Sequence, residues 1–599
     1  MEEKKNKVGV YICYCGGNIS DHVDVEEVRN RALKLPDVTV ARTNMFMCSD
    51  PGQEMIIEDL KSGKIDRVVV ASCAPSLHET TFRGAIERAG SNPFIYEHAN
   101  IREQVSWVHH GDPATDKAAI LIASATAKAK HLKPLAPIHV DAKRHATVIG
   151  GGIAGIKTAL DIAGQGIDVT LIERSPLLGG QLNSLGQLAP YGDHASDILK
   201  ELIDQVTGHT AITIHTNTKV EAVSGYVGNF SLNLLKKSDP ENIPLTLDTG
   251  AIVMATGSVS YTPFKGEYGF GQYESVITLP ELIRLLKANT SSRSMLEVNG
   301  KPIKNMVMIH CVGSRQIPGI HPPKENGTLN EYCSRTCCSA MLNAANQIRE
   351  TFPETSIYEM YRDIRTYGRG QEELYMQASA NKVVFMRYEA DEPPEVSKND
   401  DPDYPLQVRI KDGLTFNESL TVPADLVVLA TGIEPNDVTN LASQMKLPIG
   451  TDRFLLEVHP KLRPVEFPIT GIFLAGTCQA PMDSGEACNA AGAAAVKASA
   501  LLSKGYIELD PFVAEVDTDK CQGHGACVEA CIKEGALTLM EVINPDGNPV
   551  KQAQVTPAMC LGCGACAAVC PEGAIDINGW ALKQYEDMVD AIVSDSVAV

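Results

Sequence analysis

Ala146-Thr147-Val148-Ile149-Gly150-Gly151-Gly152-Ile153-Ala154-Gly155 reads as a buried β-strand that breaks on glycines and turns into a helix. The helix pattern runs to about Ala163, and the next apolar run, Val169-Thr170-Leu171-Ile172, ends in Glu173 and Arg174. A lone G-x-G-x-x-G is weak evidence. Here a strand precedes it, a helix follows, and an acidic residue stands about twenty positions on, which completes the dinucleotide-binding fingerprint. Each residue has a mechanical task. Gly150 permits the tight turn, Gly152 lets the backbone approach a pyrophosphate, and Gly155 lets helix and strand pack closely. The helix start at Ile153-Ala154 stabilises the anion, and Glu173 accepts from ribose hydroxyls.

Further landmarks select FAD over NAD. Leu178-Gly179-Gly180-Gln181, Ala255-Thr256-Gly257 and Ala430-Thr431-Gly432 match the chain landmarks of flavoproteins with two dinucleotide domains. The late strand Gly471-Ile472-Phe473-Leu474-Ala475-Gly476 matches their second flavin contact, although Thr477 and Cys478 stand where an Asp is usual. In such proteins a second Rossmann unit holds NAD(P)H. Its strand here is Met306 to Val312, and no glycine fingerprint follows. Cys311, Cys333, Cys337 and Cys338 stand there instead, the last three opening a helix through Ala340 to Ile348. This predicts a [4Fe-4S] centre on the ground where nicotinamide would bind. A redox disulfide, which would want C-x-x-C, and a structural zinc are the rival readings. Cys478 and Cys488 read as buried thiols near the flavin, without a role.

The remaining cysteines lie at the two ends. Cys560, Cys563, Cys566, Cys570 and Pro571 spell the C-x2-C-x2-C-x3-C-P run of a bacterial [4Fe-4S] ferredoxin. The upstream twin is Cys521, Cys527 and Cys531, with His524 in the place of its second cysteine. Because the fourth cysteine of each run ligates the other cluster, Cys531 should join Cys560, Cys563 and Cys566, and Cys570 should join Cys521 and Cys527. The second set is three thiolates plus the His524 imidazole, or a three-iron cluster with His524 idle. If the imidazole ligates, this cluster should be the more positive of the two. Near the N-terminus, Val8 to Cys13 and Arg67 to Ser72 read as buried strands ending in cysteine-bearing loops, and Met47-Cys48-Ser49-Asp50-Pro51-Gly52 reads as a turn. Cys13, Cys15, Cys48 and Cys73 could thus meet at one sheet edge around a [4Fe-4S] cluster; zinc or scattered thiols would also fit.

The chain has 599 residues, with 53 basic and 74 acidic side chains for a net charge of −21. That balance argues against nucleic acid as a partner. No signal peptide is legible at Met1 to Lys7, and no run approaches ~18 apolar residues, so no membrane span is expected. Seventeen cysteines without a secretory signal point to metal ligation in a reducing cytoplasm. The alanine-rich stretch Asp116 to Lys133 reads as a helix, followed by a linker at Pro134 to Pro137. The expected domains are 1–137 (iron-sulfur), 138–263 (FAD, first part), 264–429 (second, degenerate Rossmann unit with a cluster), 430–508 (FAD, second part) and 509–599 (two-cluster ferredoxin).

With Tyr14-Cys15-Gly16-Gly17-Asn18-Ile19, Met47-Cys48-Ser49-Asp50-Pro51-Gly52-Gln53, Cys311-Val312-Gly313-Ser314-Arg315 and Cys333-Ser334-Arg335-Thr336-Cys337-Cys338, the chain resembles the heterodisulfide reductase A-subunit over nearly its whole length. The resemblance implies an α/β fold: a thioredoxin-reductase-like core of two Rossmann units, an N-terminal α/β cluster domain and a C-terminal α+β two-cluster ferredoxin domain. It implies a cytoplasmic oxidoreductase with FAD and about four [4Fe-4S] clusters. The family's core cluster maps onto Cys311, Cys333, Cys337 and Cys338, and its N-terminal cluster falls within the Cys13, Cys15, Cys48, Cys73 group. In the family FAD takes an electron pair and splits it between a disulfide-reducing partner and ferredoxin. The implied partners are B- and C-like subunits, ferredoxin and a hydrogenase- or dehydrogenase-linked donor, with a homodimer inside a larger complex. Two features depart from methanogen members. Tyr261 to Lys304 holds no cysteine, so their inserted ferredoxin domain is missing, and His524 alters the C-terminal one. A relay subunit of a quinone- or sulfur-linked complex, and an NAD(P)H-dependent FAD oxidoreductase, therefore remain as alternatives. No catalytic residue is assigned.

Overall fold

The computed structural model describes residues 6–236, 245–288, 294–401, 403–543 and 549–594. The chain divides into two compact units, Met1–Val140 with Glu508–Val599, and Asp141–Ile507. The two ends of the chain thus build one unit.

In the terminal unit, Val8–Cys13 is buried along its whole length, as a central parallel strand must be when helices cover both faces. Its neighbours are Val38–Asn44 on one side and Arg67–Ser72, then Tyr96–Asn100, on the other, all parallel. The chain reverses its winding direction between Val8–Cys13 and Arg67–Ser72. In open α/β sheets a ligand crevice lies beyond the carboxyl ends of the strands at such a point. Cys13 and Cys73 stand at those ends, and Cys48 lies on the turn after Val38–Asn44. The expected alanine-rich helix spans Asp112–Ala129, starting earlier than Asp116 because Gly111 and Pro113 make its first turn. The C-terminal part is small and antiparallel. Ala514–Val516 pairs with Ile575–Ile577, Leu537–Ile543 pairs with Pro549–Val555, and the short helices Ala526–Glu529 and Ala565–Ala568 carry cysteines.

Asp141–Ile507 repeats one plan twice. The first parallel sheet runs Ile212–His215, Asp168–Ile172, His145–Ile149, Ala251–Met254, Ile472–Leu474. The second runs Val276–Thr278, Leu426–Thr431, Asn305–Val312, Ser356–Tyr361, Val384–Arg387. Each is accompanied by a three-stranded antiparallel sheet, Thr218–Tyr226 with Asn229–Lys236 and Leu245–Thr249 in one case, Glu395–Lys398 with Leu406–Asp412 and Glu418–Ala424 in the other. Helix Ile153–Ala163 buries Ile156, Ala159 and Ile162 against the first sheet, about 1.5–3 kcal/mol for each isoleucine. The second repeat departs from a nucleotide-binding unit after its central strand. Loop 313–336 separates strand Asn305–Val312 from the helix that should follow at once, and that helix, Cys337–Thr351, begins on two cysteines. Cys333 lies in the loop ahead of it, so two of the three clustered cysteines open the helix, not all three. No helix among the described residues is long and apolar enough to cross a membrane.

Candidate flavin cradle and cysteine rings

The glycine turn after His145–Ile149 is shaped as its chemistry requires. Gly150 has φ +115, and a Cβ there would meet the Ala255 carbonyl oxygen at 2.2 Å. At Gly155 a Cβ would meet the Gly150 oxygen at 1.8 Å, so helix and turn touch backbone to backbone. At Gly152 the only neighbour is the Gly180 Cα, at 4.0 Å. That open space between two glycines, at the start of a helix, is a cradle a pyrophosphate fits. Glu173 is buried, and its carboxylate accepts from the Gly151 and Ser175 amides at 2.7 Å each, which fixes it beside the cradle. Arg174 donates to Asn436 at 2.8 Å, and Asn436 donates to the Thr256 carbonyl at 2.7 Å. Gln181 donates to the Ser258 carbonyl at 2.6 Å. The hydroxyls of Thr256 and Thr431 are buried without a partner, groups that a bound polar ligand would satisfy. Gly476, at φ +75, leaves room for Ala154, whose methyl a Cβ there would meet at 2.6 Å.

Beyond this cradle lies a cavity of about 490 Å³. Ile153 and Ser484, Gly485 and Glu486 line one side, and Arg335 and Thr336 line another. Helix Ser484–Leu502 points its N-terminus at it, closed by a capping box between Asp483 and Glu486. Arg335 ties the two sides together. It donates to Glu486 at 2.5 Å, to the Tyr367 hydroxyl at 2.5 Å and to the Pro481 carbonyl at 3.2 Å. Cys488 also lines this cavity and is half-buried, whereas Cys478 is fully buried, its thiol donating to the Met254 carbonyl at 3.2 Å.

The end of strand Asn305–Val312 and the loop after it, which carries Arg335, are held in costly backbone conformations. Cys311, Arg315 and Arg335 have φ of +62, +55 and +59, a region that costs an L-residue about 1–2 kcal/mol. Those turns bring Cys311, Cys333 and Cys338 close enough to Cys337 for each to act on its charge. Cys338 is buried, receives a hydrogen bond from Cys337 and lies against His310, and its thiol is held well below the usual range. Cys337 is pushed up correspondingly by its bond to Cys338 and by burial. The helix N-terminus favours thiolates at both positions. Cys333 opens onto a cavity of about 310 Å³ that Arg315, Arg362 and Arg365 also line.

In the terminal unit Cys15 acts on Cys13, Cys48 and Cys73 alike. Burial pushes the Cys13 thiol up to about 11, and Cys48 and Cys73 in the same direction, so metal uptake there would release protons. Cys15 has φ +53, and the Arg102 guanidinium donates to its sulfur at 3.2 Å. Sequence reasoning misses Arg102 because the pair is 87 residues apart. At the C-terminus Cys527 neighbours Cys521 and Cys570, while Cys531 lines one cavity with Cys560, Cys563 and Cys566. The two rings are therefore crossed, each borrowing its last cysteine from the other run. Amides of Ala514, Ala553 and Ala574 donate to Cys560, Cys521 and Cys570 at 3.3–3.5 Å. His524 stands exposed on the loop between Cys521 and Cys527.

Comparison with known proteins bears on two of these regions and on the chain as a whole. Residues 146–248 match a model described as FAD dependent oxidoreductase, and 520–574 match one described as 4Fe-4S dicluster domain. The CoB--CoM heterodisulfide reductase iron-sulfur A-subunit 2 of Methanopyrus kandleri is 37% identical, over 90% of this chain and 92% of its own. The chain belongs to the heterodisulfide reductase A-subunit family. The H(2):CoB-CoM heterodisulfide,ferredoxin reductase A-subunit of Methanothermobacter thermautotrophicus is 36% identical, over 90% of this chain and 92% of its own. Among solved structures, T. acidophilum thioredoxin reductase aligns over 60% of this chain and 98% of its own, at 14% identity and a TM-score of 0.40. As a member of the heterodisulfide reductase A-subunit family the chain is an oxidoreductase, an iron-sulfur flavoprotein with an electron-transfer role.

Proposed function

We propose that the chain is the flavin-bearing electron-transfer subunit of a heterodisulfide-reductase-like complex. FAD lies along Gly152, Gly180 and Gly476, and four iron-sulfur clusters are held by the Cys13, Cys15, Cys48, Cys73 ring, the Cys311, Cys333, Cys337, Cys338 ring and the two crossed C-terminal rings. The observation that carries this reading is the shared cavity: Arg335 and Thr336, from the loop of the core cysteines, line the same space as Ile153 and Ser484 to Glu486 on the flavin side. Bound FAD supplies the exchange between electron pairs and single electrons. The residues position it: the glycine turns admit the pyrophosphate, and the Arg335–Glu486 bond keeps the cluster loop against the helix at the flavin cavity.

A nicotinamide-dependent reductase needs a glycine turn and a free helix N-terminus after strand Asn305–Val312. Loop 313–336 and two cysteines occupy that ground, and the Tyr261 ring packs on Gly313 so closely that a Cβ there would lie 2.1 Å from it. The names of relatives, among them a ferredoxin/F(420)H(2)-dependent heterodisulfide reductase subunit of Methanosarcina acetivorans, support ferredoxin as a partner of a heterodisulfide-reductase-like complex; B- and C-like subunits and a cytoplasmic location complete the proposal. Splitting or merging of electron pairs between a hydrogenase- or dehydrogenase-linked donor, a disulfide-reducing partner and ferredoxin is the activity this layout favours. Anaerobically purified chain should hold one FAD and about sixteen iron atoms. Cys337→Ser with Cys338→Ser should remove about four of them. A total near four, or rapid bleaching of the flavin by NADPH in the isolated chain, would refute the reading. For the Cys521 ring, His524→Cys with an unchanged EPR signal and potential would show the histidine to be idle.

A further inference from the structure

Strand Asn305–Val312 is buried from Met306 onward, and one of its buried residues is a histidine. His310 Nε2 lies 2.9 Å from Oε2 of Glu359 on the adjacent strand Ser356–Tyr361, and both side chains are wholly buried. Burying such a pair costs several kcal/mol per charge unless the remaining polar atoms are satisfied. Here they are not. His310 Nδ1 and Glu359 Oε1 both lack a hydrogen-bond partner. The Tyr388 hydroxyl, donating to the His310 carbonyl at 3.0 Å, pins the backbone as well. The ring lies against Cys338, and Cys311 is its chain neighbour. An aliphatic residue would fill this sheet position at less cost, so the pair needs a reason, and the unsatisfied nitrogen supplies one.

We propose that His310 is a positioning residue of the core cluster: Glu359 fixes its ring through Nε2, which leaves the unpartnered Nδ1–H to donate to the sulfur of Cys338 once the cluster is bound. The inference rests on the proposed cluster at Cys311, Cys333, Cys337 and Cys338. A carboxylate that orients a ring whose other nitrogen serves a metal site is a recurrent arrangement. A donor aimed at a cluster sulfur stabilises the charge added on reduction, most strongly where water is excluded, and so raises the potential. Set beside the flavin cavity, such a donor would make the core cluster a better acceptor for the first electron leaving the flavin.

The test uses the full chain, purified anaerobically, with pulsed EPR of the reduced protein and redox titration. In wild type labelled with 15N-histidine, the core-cluster signal should show coupling to a histidine nitrogen and to an exchangeable proton. His310→Leu should abolish both and lower the potential of that cluster alone, by the order of a tenfold change in its one-electron equilibrium, about 59 mV. His310→Gln, which keeps an N–H, should restore part of the shift, and Glu359→Gln should fall between. Unlabelled-like spectra in wild type, or an unmoved potential in His310→Leu with iron content intact, would overturn the proposal. Should His310→Leu lose the cluster, the wild-type coupling and the His310→Gln titration decide in its place. Iron content unaffected by Cys337→Ser with Cys338→Ser would instead remove the core cluster itself, a separate failure.

Discussion

At Gly152 an added methyl would meet only the Gly180 Cα, at 4.0 Å, whereas three residues on, at Gly155, it would meet the Gly150 oxygen at 1.8 Å. Gly152 also has extended backbone angles that any residue adopts. The two positions therefore separate binding from folding. Gly152→Ala should fold and keep its iron while its methyl fills the cradle, weakening FAD by about tenfold, or ~1.4 kcal/mol. Gly155→Ala should lower the melting temperature instead, with an overpacking cost of about 1–3 kcal/mol. Flavin absorbance and thermal denaturation of both variants check this; equal flavin loss without a stability difference would show the cradle misassigned. These glycines were legible in sequence because their task is set by backbone geometry and fixed spacing. Arg102 and His310 were not, because each acts on a sulfur that only the folded chain brings to it.

Elements follow the same division. Buried parallel strands such as Val8–Cys13 and Arg67–Ser72 announce themselves as apolar runs, and their ends locate the cysteines. Loop 313–336 has no periodicity to read, and the half-exposed strands of the antiparallel sheets alternate too weakly. The C-terminal helix Leu582–Val593 shows what contact adds. Its Asp587 lies within 2.7 Å of His131, 2.8 Å of Lys130 and 3.0 Å of Lys583, which together hold its carboxyl well below its ordinary value of 3.8. A depressed folded-state value means that the contribution is complete above pH 3.8 and is lost as acid approaches the lower folded value. Asp587→Asn should accelerate amide exchange of residues 582–593 at pH 7 by up to about fivefold, the scale of a partly exposed ion pair. The gap between variant and wild type should close as the pH falls below 3.8. A gap that persists in acid would assign the effect to packing and not to charge.

At the scale of the molecule, the two ends of the chain form one unit, a relation no local pattern encodes. Its seam is specific. Lys128 is buried, paired with Glu97 at 2.7 Å, and its ammonium sits 3.0 Å above the Trp580 ring. Arg83 lies over both Phe94 and Phe512 and pairs with Asp510 at 2.9 Å. Burial alone pulls the Lys128 ammonium below its usual range, so the ring and Glu97 are what keep a charge there tolerable. Trp580→Ala should therefore cost about 2 kcal/mol, the upper scale of a desolvated cation–π contact, and the loss should not stay in the ferredoxin region. Amide exchange should quicken in Asp112–Ala129 as well as in the strands Ala514–Val516 and Ile575–Ile577, and the N-terminal ring should lose iron faster under a chelator. A ferredoxin tail that merely hangs from the core would respond differently: exchange would rise at 509–594 alone, and iron release from the Cys13, Cys15, Cys48, Cys73 ring would keep its wild-type rate. That outcome would separate the N-terminal and C-terminal clusters into independent carriers, whereas coupled loosening makes them one electron-carrying body whose two ends fold together.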